Sequence, residues 1–228
     1  MVVLLILAAA APAALWFLLF YRSDRYDREP FRLVARTFLA GALVGLAMAF
    51  VYSGPPFVTS ALALAVIVAP VVEEVAKFLV VKWTAYGRKE FDEPVDGMVY
   101  AAAAALGFAS VENIVYVVSG WLESGTGAAF YVMAGRSILS VPAHALFSSL
   151  WGLALGWQKG RGGARPVLIV MASLLGAMVM HGLFNYLVGA RLLGGLAFLA
   201  ALGLAWRGVF LLIRRALAAS PYAPGSKG

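Results

Sequence analysis

The chain has 228 residues, of which 63% are hydrophobic and only 13% charged, with no cysteine and a mean hydropathy of +0.89. Soluble domains are close to half apolar, so this composition predicts an all-α, polytopic membrane protein; the lack of cysteine excludes a disulfide framework and a thiolate metal site. The net charge of +7 is better explained by basic residues flanking a lipid bilayer than by nucleic acid as a partner.

Seven spans are predicted, in order. The first covers about residues 2–21. Ala9 to Ala14 resemble a signal-cleavage region, but no basic residue precedes the apolar run, so an uncleaved helix is expected. The loop RSDRYDREPFR leads to a second span at about 33–52, and Gly54, Pro55 and Pro56 form a tight break. The third span, at about 57–83, is followed by the charged loop YGRKEFDEPVDG. The fourth lies at about 98–119, and GWLESGTG (120–127) is expected to be a loop. The fifth lies at about 137–157, the sixth at about 167–188 after QKGRGGARP, and the seventh at about 193–213. Residues 1–215 read as one integral-membrane domain and 216–228 as a disordered tail.

Basic residues set the orientation. Arg22, Arg25, Arg28, Arg32 and Arg36 cluster at the first loop, Lys82, Arg88 and Lys89 at the third, and Lys159, Arg161 and Arg165 at the fifth. Arg207, Arg214, Arg215 and Lys227 accompany the last span and tail, whereas the even-numbered loops carry only Arg136 and Arg191. The odd loops and the C-terminus are therefore expected in the cytoplasm and the N-terminus outside it.

Within the third span stands PVVEEVAK, Pro70 to Lys77. One ionised group at the centre of a membrane helix costs about 2.5–3.5 kcal/mol on insertion scales, so such residues mark functional sites by default. Glu73 and Glu74 lie four and three residues before Lys77, within reach of it on a helix. An ion pair explains one acid and the lysine but leaves the second acid without a purpose. Further polar residues interrupt other spans: Glu112 and Asn113 in FASVEN, His144 in PAHALF, and His181 and Asn185 in HGLFN. At about 1.5 Å rise per residue, Glu112, His144 and His181 each lie roughly 10 Å from the outer ends of their helices. His181 and Asn185, four apart, share a helix face. A carboxylate with two imidazoles (Glu112, His144, His181) suits zinc, with a further glutamate to activate water. The same residues also serve a metal-free scheme, in which a glutamate takes a proton from water while histidine and asparagine stabilise the oxyanion.

In order along the chain, EExxK at Glu73 to Lys77, FxxxEN at Phe108 to Asn113, HxxF at His144 to Phe147 and HxxxN at His181 to Asn185 resemble the PrsW intramembrane proteases, relatives of the CAAX prenyl endopeptidase superfamily. The stretch DxxxxEP at Asp24 to Pro30 and the DG at Asp96 and Gly97 are similar too. The resemblance implies an endopeptidase that cuts single-pass membrane proteins, such as an anti-sigma factor, at a first site. It also implies Glu73 as base, with Glu74 oriented by Lys77. The competing expectation is a proton- or ion-coupled transporter that uses the Glu/Lys/His cluster as a relay. Against it, the sequence lacks an inverted repeat.

Overall fold

The computed structural model describes residues 1–54, 60–159, 164–190 and 196–225. The expected break at Pro55 and Pro56, and Arg161, Arg191 and Lys227, lie outside these residues. The described chain is helical, with no strand: α1 (Val2–Ser23), α2 (Phe31–Ser53), a short α3 (Ala61–Ala63), α4 (Ala69–Val81), α5 (Pro94–Ile138), α6 (Ser140–Gln158), α7 (Ala164–Gly189) and α8 (Leu196–Ala218). Helices satisfy every backbone group internally, which a bilayer demands.

Four helical stretches among the described residues are long and apolar enough to cross a bilayer: Val2–Ser23, Phe31–Ser53, Pro94–Gln158 and Arg165–Gly189. The chain is an integral membrane protein, but the expected count of seven spans is not reproduced. The third expected span is divided by π-helical turns at Leu64–Val68 and Lys82–Tyr86. Its α-helical part, α4, has 13 residues, short of the roughly 20 that a spanning helix needs. The fourth and fifth expected spans fall within one 65-residue stretch, and α8 carries Arg207, Arg214 and Arg215.

The expected loop at 120–127 is mostly helix. Its single break is Gly125, at φ 80° and ψ −170°, a backbone conformation open to glycine because it has no Cβ. There the chain folds back, so that Gly120 lies against Ala128 and Val132 and Arg136 returns to Glu112, 24 residues earlier.

The first half of α5 is the centre of the bundle: every residue from Val95 to Ser110 is buried. It packs most extensively against α6, where a Cβ on Gly97 or Gly152 would strike the backbone of the other. Such small-residue seams let helices gain close van der Waals contact where lipid supplies no hydrophobic drive.

The π turn before α4 has a cause in Pro70, which lacks an N–H and crowds the preceding turn. In the widened register the Ala65 carbonyl would accept from residue 70; it accepts instead from Asn185 Nδ2, at 2.9 Å.

The bundle end that carries the α1–α2 loop buries acids and exposes bases. Asp24, Glu29 and Asp96 are buried, while Arg22, Arg25 and Arg28 are exposed. The Glu29 amide donates to Asp24 Oδ2 at 2.8 Å, and the Tyr100 hydroxyl donates to Glu29 Oε2. Asp96 Oδ2 accepts from the amides of Asp92 and Glu93, capping α5. Burial pushes the Glu29 carboxyl up to about 8, against the Tyr100 hydrogen bond that lowers it. Burial likewise raises Asp24 to about 6. In the segment expected to be a tail, Ser220 is buried and Tyr222 Oη donates to Asp92 Oδ2 at 2.7 Å.

Candidate active site

Four helices bring polar side chains to one place: Glu73, Glu74 and Lys77 from α4, Glu112 from α5, His144 from α6 and His181 from α7. Glu73, Glu74, Lys77, His144 and His181 are all buried. The two acids nevertheless have different surroundings.

Glu74 is saturated. Its Oε1 accepts from Lys77 Nζ at 2.8 Å and from His181 Nδ1 at 3.2 Å. Its Oε2 accepts from Ser148 Oγ at 2.8 Å and from Trp151 Nε1 at 3.1 Å. Glu73 is bound much more loosely. Its Oε2 is buried without a hydrogen-bond partner, 3.7 Å from Lys77 Nζ and 3.9 Å from His181 Nε2.

These contacts assign the imidazole tautomers. An ammonium has only donors, so Lys77 Nζ, 3.0 Å from His144 Nδ1, makes that nitrogen the acceptor. His144 Nε2 then carries the proton and donates to Glu112 Oε2 at 2.9 Å. His181 Nδ1 donates to Glu74, which leaves the Nε2 lone pair facing Glu73. The phenylalanines of the motifs hold the rings. Phe147 stacks on His181 at 5.4 Å between centroids, and Phe108 lies 5.8 Å from the His144 ring and 4.6 Å beneath the Lys77 ammonium.

Glu112 stands on the far side of His144. Arg136, returned by the reversal at Gly125, donates to Glu112 Oε2 at 2.8 Å and to Asn113 Oδ1 at 3.2 Å. Its guanidinium lies 4.1 Å from the Tyr116 ring centroid. Asn113 Nδ2 in turn donates to the Ala9 carbonyl at 2.7 Å, tying α1 to α5.

The residues that converge on one point are Glu73, His144 and His181, whose ligand atoms lie within 4.8 Å of one another. They form a possible metal-binding group, with Glu73 in the place expected of Glu112. Glu112 is drawn off by Arg136, which the sequence offered only as a loop charge. Donor types and the unpartnered Glu73 Oε2 and His181 Nε2 fit zinc; His144 would have to exchange its Lys77 or Glu112 hydrogen bond for the metal. Asn185 does not join the cluster, because its amide serves Ala65 one turn away. Ser148 and Trp151 were not anticipated. They follow His144 by four and seven residues, a spacing that puts them on its helix face.

Residues 29–213 match the model of a family described as PrsW family intramembrane metalloprotease. The chain belongs to the PrsW family. Among its relatives is Protease PrsW of Geobacillus kaustophilus, 36% identical over 190 residues that cover 82% of this chain and 80% of the relative. Protease PrsW of Bacillus subtilis is 30% identical over 194 residues, covering 82% and 83%. That of Clostridioides difficile is 31% identical over 195 residues, covering 81% and 79%. No solved structure matches the chain. The PrsW match embraces both the polar cluster and most of the acid-burying end of the bundle.

Proposed function

We propose that the chain is an intramembrane endopeptidase in which Glu73 is the general base. One observation carries the reading: Glu73 Oε2 and His181 Nε2 are acceptors 3.9 Å apart, and Glu73 Oε2 has no donor. A water giving one hydrogen to each is held with its lone pairs turned outward. When that water adds to a peptide carbonyl, Glu73 takes its proton; when the C–N bond breaks, Glu73 returns the proton to the leaving amine. Lys77 and Glu74 hold His144 and His181 in the tautomers this needs.

The convergence of Glu73, His144 and His181 favours a second reading, in which these three hold zinc. Zinc bound there supplies Lewis-acid polarisation of the carbonyl and acidifies a bound water. Glu73 is then a ligand and not the base. The substrate we propose is a single-pass membrane protein, such as an anti-sigma factor, cut at its extracytoplasmic side.

The test uses the purified protein in nanodiscs with a dual-labelled single-pass reporter. Cleavage by the wild type and its loss in Glu73→Gln are expected. Full activity in metal-free protein supports the first reading; loss with a chelator and return with about one zinc per chain supports the second. Ion flux without cleavage would support the transporter instead, which family membership disfavours.

A further inference from the structure

Among the described residues, buried polar side-chain atoms without a hydrogen-bond partner fall into two groups. One consists of carboxylate oxygens at the α1–α2 loop end. The other has two members, Glu73 Oε2 in the candidate site and Tyr52 Oη, which stands level with the turn after Glu112 because Gly41 and Gly45 of α2 lie against Ala104 and Phe108 of α5. Tyr52 stands in the last turn of α2 and belongs to none of the motifs of the acidic pair, the histidines or the EN dipeptide. Its ring is half-buried, its hydroxyl is enclosed, and the ionisable groups around it are Glu73, Glu112 and Tyr116.

A phenol O–H among two carboxylates ordinarily donates to one of them. Glu112 Oε2 is already occupied by Arg136 and His144, and the Tyr52 hydroxyl bonds to neither acid. A buried hydroxyl left unpaired lowers stability and calls for an account, which a partner arriving with the substrate supplies. The donor has the base among its charged neighbours without being consumed by it, as stabilisation of a developing negative charge requires.

We propose that Tyr52 Oη donates a hydrogen bond to the substrate carbonyl oxygen as water adds to it, strongest when that oxygen is the tetrahedral oxyanion. Tyr52 gives up no proton; the oxyanion collapses back to a carbonyl as the C–N bond breaks, and the hydroxyl is regenerated as it was. The inference rests on the reading of Glu73 as base toward a peptide carbonyl.

Tyr52→Phe, Glu73→Gln and the wild type are compared in nanodiscs with the same single-pass reporter. Tyr52→Phe is expected to lower kcat about 100-fold, with KM within about twofold. Its melting temperature should be unchanged or higher, because no protein hydrogen bond is lost. A kcat within about twofold of the wild type, or a loss confined to KM, overturns the proposal while Glu73→Gln remains inactive. A wild type that cleaves no reporter overturns the reading of the site and this inference with it. Should Tyr52→Phe fold poorly, fluorotyrosine at position 52 keeps the shape and sharpens the hydroxyl's acidity; an unaltered kcat in that protein overturns the proposal equally.

Discussion

An amide in place of the Glu74 carboxylate would turn an NH2 toward donors whichever way it pointed, against Lys77 and His181 or against Ser148 and Trp151. Glu74→Gln thus loses hydrogen bonds and also leaves the Lys77 ammonium without its closest counter-charge. Breaking a buried pair from one side costs about 3–5 kcal/mol, so a large fall in melting temperature is expected for Glu74→Gln, and for Lys77→Ala. Glu73→Gln loses no hydrogen bond. It should melt close to the wild type while cleavage falls by about 100- to 10,000-fold, the range for a lost general base. Melting curves and single-turnover cleavage of the three variants check this, and an inactive Glu74→Gln that melts normally would reverse the roles. The acidic pair and both histidines were legible in the sequence because charge and imidazole stand out in apolar spans. The tasks of Ser148 and Trp151 were not, since a serine or a tryptophan in a membrane helix is ordinary until its neighbour is known. Their spacing from His144 was the one available signal.

Helix geometry explains where residue spacing misled. His181 and Asn185 share a face, but four residues also separate them by about 6 Å along the axis. That rise takes Asn185 past the acids to the π turn made by Pro70. Asn185→Ala is therefore expected to cost about 1 kcal/mol of stability, the net worth of a hydrogen bond. Turnover should fall only modestly, as α4 loses a restraint near its start. A loss as deep as that of Glu73→Gln, with the melting temperature preserved, would return Asn185 to the chemistry. GWLESGTG read as a loop for a similar reason. Glycine and serine lower helix propensity, yet only Gly125 adopts a non-helical backbone, and the chain on either side stays helical against itself.

At the scale of the whole molecule, the acids of the α1–α2 loop set a pH dependence. Glu29 faces Tyr100, Asp24, Asp96 and Asp92, and its carboxyl titrates at about 8 when folded against an ordinary value of 4.5. The folded chain thus retains a proton that the unfolded chain releases. Its contribution is fully present below the ordinary carboxylate range and is lost as pH rises through about 8. Asp24 adds the same sign over a lower window, up to about 6. The melting temperature is expected to fall from pH 5 to pH 8, and Glu29→Gln should flatten that slope. A slope of opposite sign, or one unchanged in the variant, would contradict the assignment. The basic residues make a separate prediction: a C-terminal reporter should be cytoplasmic and an N-terminal one external, and a C-terminal fusion active outside the cytoplasm would contradict it. Composition made the membrane class legible. The number of spans was less so, because hydropathy does not register a π turn or a reversal that needs one residue.

Glu74 also limits how the helices around it can part. Its two oxygens fasten α4 to α6 and α7 at one depth, so prising those helices apart would strip a buried carboxylate of its donors. Glu112 is the looser side of the cluster: its side chain is 25% exposed and is held by Arg136 on the returning helix. Whether that contact exists at all is decided at one glycine, because the chain turns back toward Glu112 at Gly125.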